Sequence, residues 1–474
     1  MRETQGLIAA LPGATVIGAP PARIEALASD SRDVRSGSLF VALRGTRTDG
    51  HEYVADAVAR GATLVVAESA SPVAVPQIIV ADSRLALSAL ADVFYDRPSE
   101  VLTVIGVTGT NGKTTTTHLI RDMVESAGIA CGVIGTLGGS FRDHAPWPLA
   151  NTTPLASQLH GLLAEMRAAG AQAVAMEVSS HALALARVAH VRFAVGVLTN
   201  VTRDHLDFHG TFERYAAAKK QLLDMSPIRV VNIDDAFGAS CAKEMPDTIS
   251  YALDREAVLR PLDVRLQGDG STFTVDGTPV AIALPGRFNV RNALAAFGVG
   301  RALGIADATI AAGLAATRAV PGRMERFGAF GIDAIVDYAH TPDALENVLT
   351  AVRETTRRRV ILVFGCGGDR DVGKRSQMGA VGARLADHVI VTSDNPRSED
   401  PREIAESIAR DLDRTEIVLD RRAAIRRAID QAEAGDTVVV AGKGHETYQI
   451  VGDSVHPFDD REEVRFAFSN RARR

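Results

Sequence analysis

The chain has 474 residues, 46% of them hydrophobic and 23% charged, with a formal net charge of −6. This is ordinary globular composition with no apolar run long enough to span a bilayer, and its mild acidity argues against a nucleic-acid-binding chain, which normally shows a basic excess. Three scattered cysteines without a CxxC pair exclude a disulfide scaffold or zinc ribbon, and the first residues lack the apolar core of an export signal, so an untargeted, soluble, cytoplasmic protein is expected.

Length suggests about three domains of ~100–200 residues each. The first, 1–99, reads as a small α/β unit, with strands over 38–43, 63–67 and 77–80 and helices over 53–61 and 83–95. The second, 100–320, opens with a strand over 102–107. Apolar strands over 174–178, 194–198 and 230–233 then alternate with helices, the pattern of a mainly parallel sheet covered on both faces. Residues 250–285 are richer in Gly, Asp, Thr and Pro and read as antiparallel β, followed by a helix over 289–303. The third, 321–474, has strands over 334–338, 360–364, 389–392 and 437–440 separated by helices. The expected fold is therefore α/β in three domains: a small N-terminal α/β domain, a central P-loop-type mainly parallel sheet, and a C-terminal Rossmann-like doubly wound sheet. Ligands of such sheets lie beyond the carboxyl ends of the strands. There is no internal repeat and no low-complexity tract.

The strongest local signal is Gly106-Val107-Thr108-Gly109-Thr110-Asn111-Gly112-Lys113-Thr114-Thr115, between a strand and a helix over 114–127. Glycines let backbone N–H groups close on phosphate oxygens at a helix N-terminus. Lys113 would reach the terminal phosphates and the Thr114 hydroxyl would ligate Mg²⁺. The spacing is GxxGxxGKT, one position off the strict phosphate-loop pattern, because Val107 stands where a glycine is required. Glu177 ends an apolar strand, where a carboxylate would hold Mg²⁺ directly or through water. His205, in the polar loop 200–210, reads as a metal ligand or a phosphate contact. A phosphate loop alone leaves open a switch or motor that hydrolyses nucleotide.

Only six of the 52 basic residues are lysine, at 113, 219, 220, 243, 374 and 443. In a chain that writes nearly every cation as Arg, a retained Lys marks a place where a guanidinium cannot do the job. Three of the six, Lys113, Lys219 and Lys443, fall inside the motifs described here.

The 106–115 loop, Glu177-Val178-Ser179-Ser180-His181, the 200–210 loop, Ala217-Ala218-Lys219, Gly286-Arg287-Phe288-Asn289-Val290-Arg291-Asn292, Gly322-Arg323-Met324-Glu325 and Asp337-Tyr338-Ala339-His340-Thr341-Pro342-Asp343 occur in that order. Together they resemble the ATP-dependent Mur ligases of peptidoglycan synthesis, over nearly the whole chain. Gly365-Cys366-Gly367-Gly368-Asp369-Arg370 and Gly442-Lys443-Gly444-His445-Glu446 are similar to the branch that adds the third amino acid to UDP-MurNAc-L-Ala-D-Glu.

The resemblance implies an enzyme that phosphorylates a carboxylate with ATP and lets an amine attack the acyl phosphate. It implies ATP contacts at Gly109, Thr110, Asn111, Gly112, Lys113, Thr114, Thr115, Asn289, Asn292 and Arg323. Lys113, Glu177, His205 and Lys219 would be catalytic. Mg²⁺ would be held by Thr114, Glu177, His205 and Lys219, the last as a CO₂-derived carbamate. Ser31, Thr46, Arg47 and Thr48 would hold the UDP part, and Asn151, Thr152, Thr153, Ser179 and Arg187 the sugar-peptide part. One position departs: the family often has Gln two residues before this Arg, where the chain has Leu185. Arg370, Asp394, Asn395, Pro396, Arg397, Gly442 and Glu446 would bind the amino acid. In the family, Asp394-Asn395-Pro396-Arg397 marks selection of meso-diaminopimelate, whose distal carboxylate a planar guanidinium can hold by two parallel hydrogen bonds. The partners expected are small molecules alone, with neither nucleic acid nor membrane, on a monomer. The enzymic alternatives are a relative that uses L-lysine and a folylpolyglutamate synthetase-like ligase.

Overall fold

The computed structural model describes residues 1–45, 48–410 and 412–472. They form two compact units that interleave along the chain. One comprises 1–108, 128–198 and 217–229, and the other 109–127, 199–216 and 230–474.

The first unit contains an N-terminal sheet in the order Thr15–Ile17, Gln77–Ile79, Ala62–Ala67, Ser38–Val41 and Ala26–Ala28, parallel except at the first pair. Side chains of a strand alternate between faces. Leu39, Val41, Leu64 and Val66 pack on one face with Leu87 and Leu90 of the helix Ser83–Phe94. Phe40, Ala42 and Val65 pack on the other with Val54 and Ala57 of the helix Val54–Ala59. The expected helix over 53–61 thus begins with a 3₁₀ turn, Gly50–Tyr53, capped by the Asp49 carboxylate, which accepts from the His51 N–H. Five further strands lie in the order Gly138–Ser140, Cys131–Gly135, Ala173–Glu177, Thr103–Thr108 and Phe193–Leu198. All neighbours are parallel except the hairpin formed by the first two. Glu177 pairs with Val107, so its carboxylate sits at the carboxyl edge.

In the second unit the helix Lys113–Ser126 follows the phosphate loop, and the helix Arg287–Ala302 spans the expected 289–303 segment. Residues 262–282 form the expected antiparallel sheet, Leu262–Gln267, Gly270–Val275 and Thr278–Ile282. The C-terminal sheet has the order Glu325–Ala329, Ile332–Asp337, Thr437–Ala441, Val360–Phe364, His388–Val391 and Thr415–Ile417, parallel beyond its first hairpin. Val360, Leu362 and Phe364 face the helices Pro342–Thr355, Lys374–Leu385 and Pro401–Ala409. Ile361 and Val363 face Arg421–Gln431 and Asp460–Arg471. Burial on both faces is why these strands are continuously apolar. Their carboxyl ends deliver residues 338–343, 365–371, 393–397 and 442–446 to one edge of the sheet. Among the described residues no helix is long and apolar enough to cross a membrane.

Candidate active site

In the second unit the phosphate loop is held by backbone and side-chain bonds. Gly112 has φ +87°, which favours glycine, and a Cβ there would collide with Asn292 Oδ1. Asn200 clamps the loop, accepting from Asn111 N at 3.0 Å through Oδ1 and donating from Nδ2 to Asn111 O at 3.1 Å. Thr199 Oγ1 donates to the same carbonyl at 2.6 Å. Thr110 Oγ1 meets the Tyr215 hydroxyl at 2.9 Å. Lys113 Nζ donates to the carbonyls of Gly109 and Thr110, at 2.8 and 2.9 Å. Thr114 and Thr115 are buried at the start of the helix. Asn289 and Asn292 are buried and joined, Asn292 Nδ2 donating to Asn289 Oδ1 at 3.1 Å.

Arg323 ties the 320s loop to this helix. Its Nη2 donates to Thr114 Oγ1 at 3.0 Å, and its guanidinium lies 4.4 Å from the centre of the Tyr338 ring, a cation–π contact. Asp337 fixes that geometry by accepting from Met324 N and Ala339 N, each at 2.8 Å. Burial pushes the Asp337 carboxyl up against the opposing pull of Arg323. Asp343, at the start of the helix Pro342–Thr355, accepts from Asn111 Nδ2 at 2.7 Å. Burial likewise raises it.

His205 has φ +51°, and its side chain is 44% exposed. Its Nε2 lies 3.4 Å from Asp204 Oδ2. Burial raises Asp204, but His205, His340, Lys374 and Lys113 together hold it below the usual carboxylate range. His340 and His445 are both lowered, chiefly by burial, His445 to about 3, so both rings are neutral at pH 7. Lys374 Nζ donates to His340 O at 2.9 Å. The sequence reading gave no role to Asn200, Tyr215, Asp343 or Lys374. Asp343 lies inside the 337–343 motif, and Asn200 opens the 200–210 loop at a strand end, so both carry a signal in the sequence.

The C-terminal loops meet at the carboxyl edge of their sheet. Asp394, Asn395 and Pro396 are buried, Arg397 is half-buried with φ +53°, and Arg370 is exposed. Arg397 Nη1 donates to Gly368 O at 2.8 Å. Asn395 Nδ2 donates to Glu446 Oε2 at 2.9 Å. Gly442, at φ +116°, lets Asp394 approach, because a Cβ there would stand 2.7 Å from Asp394 Oδ2. The hairpin Tyr448–Val451 and Ser454–Pro457 is zipped onto this loop. Arg397 N donates to Ile450 O, Gly452 N to Arg397 O, Ile450 N to Asn395 Oδ1 and Gln449 Nε2 to Asp394 O. Beneath, Arg421 and Asp460 form a wholly buried ion pair. Arg421 Nη2 also donates to Ala441 O at 2.9 Å, bracing the end of the strand Thr437–Ala441.

In the first unit Glu177 is 1% exposed. Its Oε1 accepts from Thr136 N at 2.8 Å and its Oε2 from Thr136 Oγ1 at 3.0 Å. Each oxygen keeps a lone pair, so the carboxylate fits a hard cation. Lys219, on the helix Phe212–Asp224, is 2% exposed, whereas Lys220 pairs with Asp224 at 3.2 Å. Among the described residues no group of three His, Cys, Asp or Glu side chains could hold a metal alone. Thr153 is buried, its Oγ1 accepting from Ser179 N at 3.0 Å and its carbonyl accepting from Arg187 Nη1 at 2.8 Å. Thr152 Oγ1 lies 3.1 Å from Thr136 Oγ1, and Asn151 is exposed. Burial lowers Arg187, and its Nε is buried without a partner, a donor offered to a ligand. Ser31 is buried in a turn that Asp30 caps. Thr48 is exposed, and Thr46 and Arg47 lie outside the described residues.

Three segments match Mur ligase families: 23–95 the Mur ligase family catalytic domain, 107–300 the Mur ligase middle domain, and 322–444 the Mur ligase glutamate ligase domain. A curated protein of Gloeobacter violaceus is 46% identical over 96% of each chain, and one of Geobacter metallireducens is 45% identical over 94% of each. Both are named UDP-N-acetylmuramoyl-L-alanyl-D-glutamate–2,6-diaminopimelate ligase. A solved structure of a ligase with that name is 35% identical, with a TM-score of 0.69 over 96% of this chain and 97% of its own.

Proposed function

The chain belongs to the Mur ligase family, and from that premise we propose that it is an ATP-dependent ligase that joins meso-diaminopimelate to UDP-MurNAc-L-Ala-D-Glu in peptidoglycan precursor synthesis. The observation that carries this is near-full-length identity of about 45% to relatives named for that reaction. The three matched segments support domain borders at 1–99, 100–320 and 321–474. The L-lysine ligase and the folylpolyglutamate synthetase-like reading have no comparable support.

The chemistry asks the protein for positioning and fixed charge rather than for a nucleophile. The substrate carboxylate attacks the terminal phosphorus of ATP, giving an acyl phosphate and ADP. The amine attacks the acyl carbon, and the tetrahedral intermediate expels phosphate. Lys113 and the N–H groups at the start of its helix would meet the phosphates, with Asn289, Asn292 and Arg323 on the nucleotide side. Gly109, Thr110, Asn111, Gly112, Thr114 and Thr115 complete the cradle. Mg²⁺, when bound, supplies positive charge against the phosphate oxygens, and Thr114, Glu177, His205 and a carbamate on Lys219 would hold it together with those oxygens. CO₂ adds to a neutral amine, and Lys219 is buried, as a carbamate held to a metal would be. Ser31, Thr48 and the undescribed Thr46 and Arg47 would take the UDP part, and Asn151, Thr152, Thr153, Ser179 and Arg187 the sugar-peptide part. Arg397 and Arg370 would take the carboxylates of the amino acid, and Glu446 and Asp394 its distal ammonium. ATP as co-substrate and three scattered, buried cysteines fit a cytoplasmic enzyme.

The test is phosphate release with UDP-MurNAc-L-Ala-D-Glu and ATP against meso-diaminopimelate and L-lysine. Strong preference for meso-diaminopimelate is expected, and comparable kcat/KM for the two would sink the assignment. An intact-mass measurement one CO₂ above the sequence mass tests the carbamate, which an unmodified amine in fully active enzyme would rule out.

A further inference from the structure

Of the six lysines, Lys113 and Lys219 have roles in the reading above, and Lys443 has none. Yet Lys443 is wholly enclosed, at 0% exposure. Enclosing an ammonium is unfavourable unless acceptors meet it. Here Nζ donates to Glu446 Oε2 at 2.9 Å and to Asn395 Oδ1 at 3.1 Å, and Asp394 Oδ1 stands 3.7 Å away. The Tyr448 ring centre is 5.5 Å from Nζ. Three acceptors around one nitrogen suit the three N–H directions of an ammonium, whereas a guanidinium is a broad planar fork.

We propose that Lys443 is a positioning residue that fixes Glu446 and Asn395 and sets the charge of the pocket, and so determines selectivity for a diamino dicarboxylic acid over a diamino monocarboxylic acid. The proposal rests on the reading of this pocket as the diaminopimelate site. It first divides the polar atoms among the ligand's groups. Asn395 Oδ1 accepts from both Lys443 Nζ and Ile450 N, so its two lone pairs are used. Asn395 therefore cannot receive a ligand ammonium; its remaining N–H suits a carboxylate. Glu446 Oε2 is likewise taken twice, by Lys443 and Asn395 Nδ2, which leaves Oε1 for the ligand. The distal ammonium falls to Asp394 and Glu446 Oε1.

Charge balance gives the selectivity. Asp394 and Glu446 lie among the bases Lys443, Arg370 and Arg397, and Asp369 lies beside the two arginines, so three acids balance three bases. Poised for attack with its reacting amine neutral, meso-diaminopimelate has two carboxylates and one ammonium, one net negative charge. L-Lysine in the same state has one of each and is neutral. Without the charge of Lys443 the site carries one net negative charge, which opposes the net negative dicarboxylate, while lysine, neutral in the same state, feels no net repulsion.

The full-length protein and its Lys443→Met variant are assayed for phosphate release with saturating ATP and UDP-MurNAc-L-Ala-D-Glu. Lys443→Met is expected to raise KM for meso-diaminopimelate at least about tenfold, to change kcat less than about threefold, and to narrow the preference over L-lysine at least about tenfold. Lys443→Gln, whose amide still donates to Glu446, removes the charge with less risk to folding and should narrow the preference similarly. Lys443→Arg, which keeps the charge, should retain more of the preference than Lys443→Gln. Wild-type KM and preference in Lys443→Gln or Lys443→Met overturn the proposal alone. A wild-type enzyme that does not prefer meso-diaminopimelate overturns the functional reading and this proposal with it.

Discussion

The C-terminal loops proposed to bind the amino acid and the N-terminal loops expected to meet UDP use charge in opposite ways. Around the pocket, buried ions join segments far apart in sequence: Lys443 with Asn395, Arg421 with Asp460, Arg375 with Glu399. In the N-terminal loops, Arg32 pairs with Asp30, two positions away, and remains in water. A long-range buried tie fixes the relative position of two loops, which is what discrimination by a single carboxylate requires. A local solvated tie shapes only its own turn. That suffices where a large ligand offers many weak contacts.

The contrast can be broken most directly at Arg397. With Arg397 on the distal carboxylate, as proposed, lysine would leave its guanidinium without a partner, and a site built for a polar group rejects an analogue lacking it by ~10⁴-fold or more. Arg397→Ala should therefore reduce the preference for meso-diaminopimelate over lysine by at least about 100-fold, read from kcat/KM for both. Next comes the brace beneath the pocket. Asp460→Ala leaves Arg421 buried and unpaired, and chemical denaturation should show a loss of about 3–5 kcal/mol. A loss below about 1 kcal/mol would show that this pair is no more costly to break than a surface bridge.

The first unit offers the sharpening case. His160 is fully buried 3.6 Å from Asp92, and neither ring nitrogen has a hydrogen-bond partner. It meets burial by giving up its charge, its pKa falling from 6.5 to about 4 chiefly through desolvation. The unfolded chain binds the proton first on acidification. His160 therefore leaves stability unaffected above pH 6.5 and lowers it progressively between 6.5 and about 4, by about 3 kcal/mol at the lower limit. Asp92, raised by burial, acts in the opposite direction. The difference in denaturation profile between wild type and His160→Leu isolates the histidine's share, and parallel profiles across that range would refute it. The smallest effect is expected at Arg32→Ala, which removes a solvated pair and should change KM for the UDP substrate by less than about threefold.

What could be read from sequence follows the same division between local and long-range. Strands such as Val360–Phe364 and Thr437–Ala441 are legible because burial on both faces demands an unbroken apolar run. The phosphate loop is legible because glycine and lysine spacing carries its chemistry locally. The edge strand Glu325–Ala329 was not, since alternate residues face water and Arg326 reaches across to Asp333. The hairpin at 448–457 was missed for the same reason, being largely exposed. The Lys443 network is assembled only by folding, although the scarcity of lysine hinted at it. Nor does chain order reveal that 109–127 and 199–216 belong to one compact unit with residues beyond 230.

The zipped hairpin has a consequence for transplanting the specificity proposed for this loop. Residues 394–397 form no free-standing signature, because 448–452 supply much of the backbone pairing that holds them in shape. Grafting Asp-Asn-Pro-Arg alone into a scaffold that accepts another amino acid would import the letters without the fold that gives them direction. A successful graft has to carry both strands of the hairpin, which makes the unit of inheritance for this recognition a paired loop and ribbon about fifty residues apart in the chain.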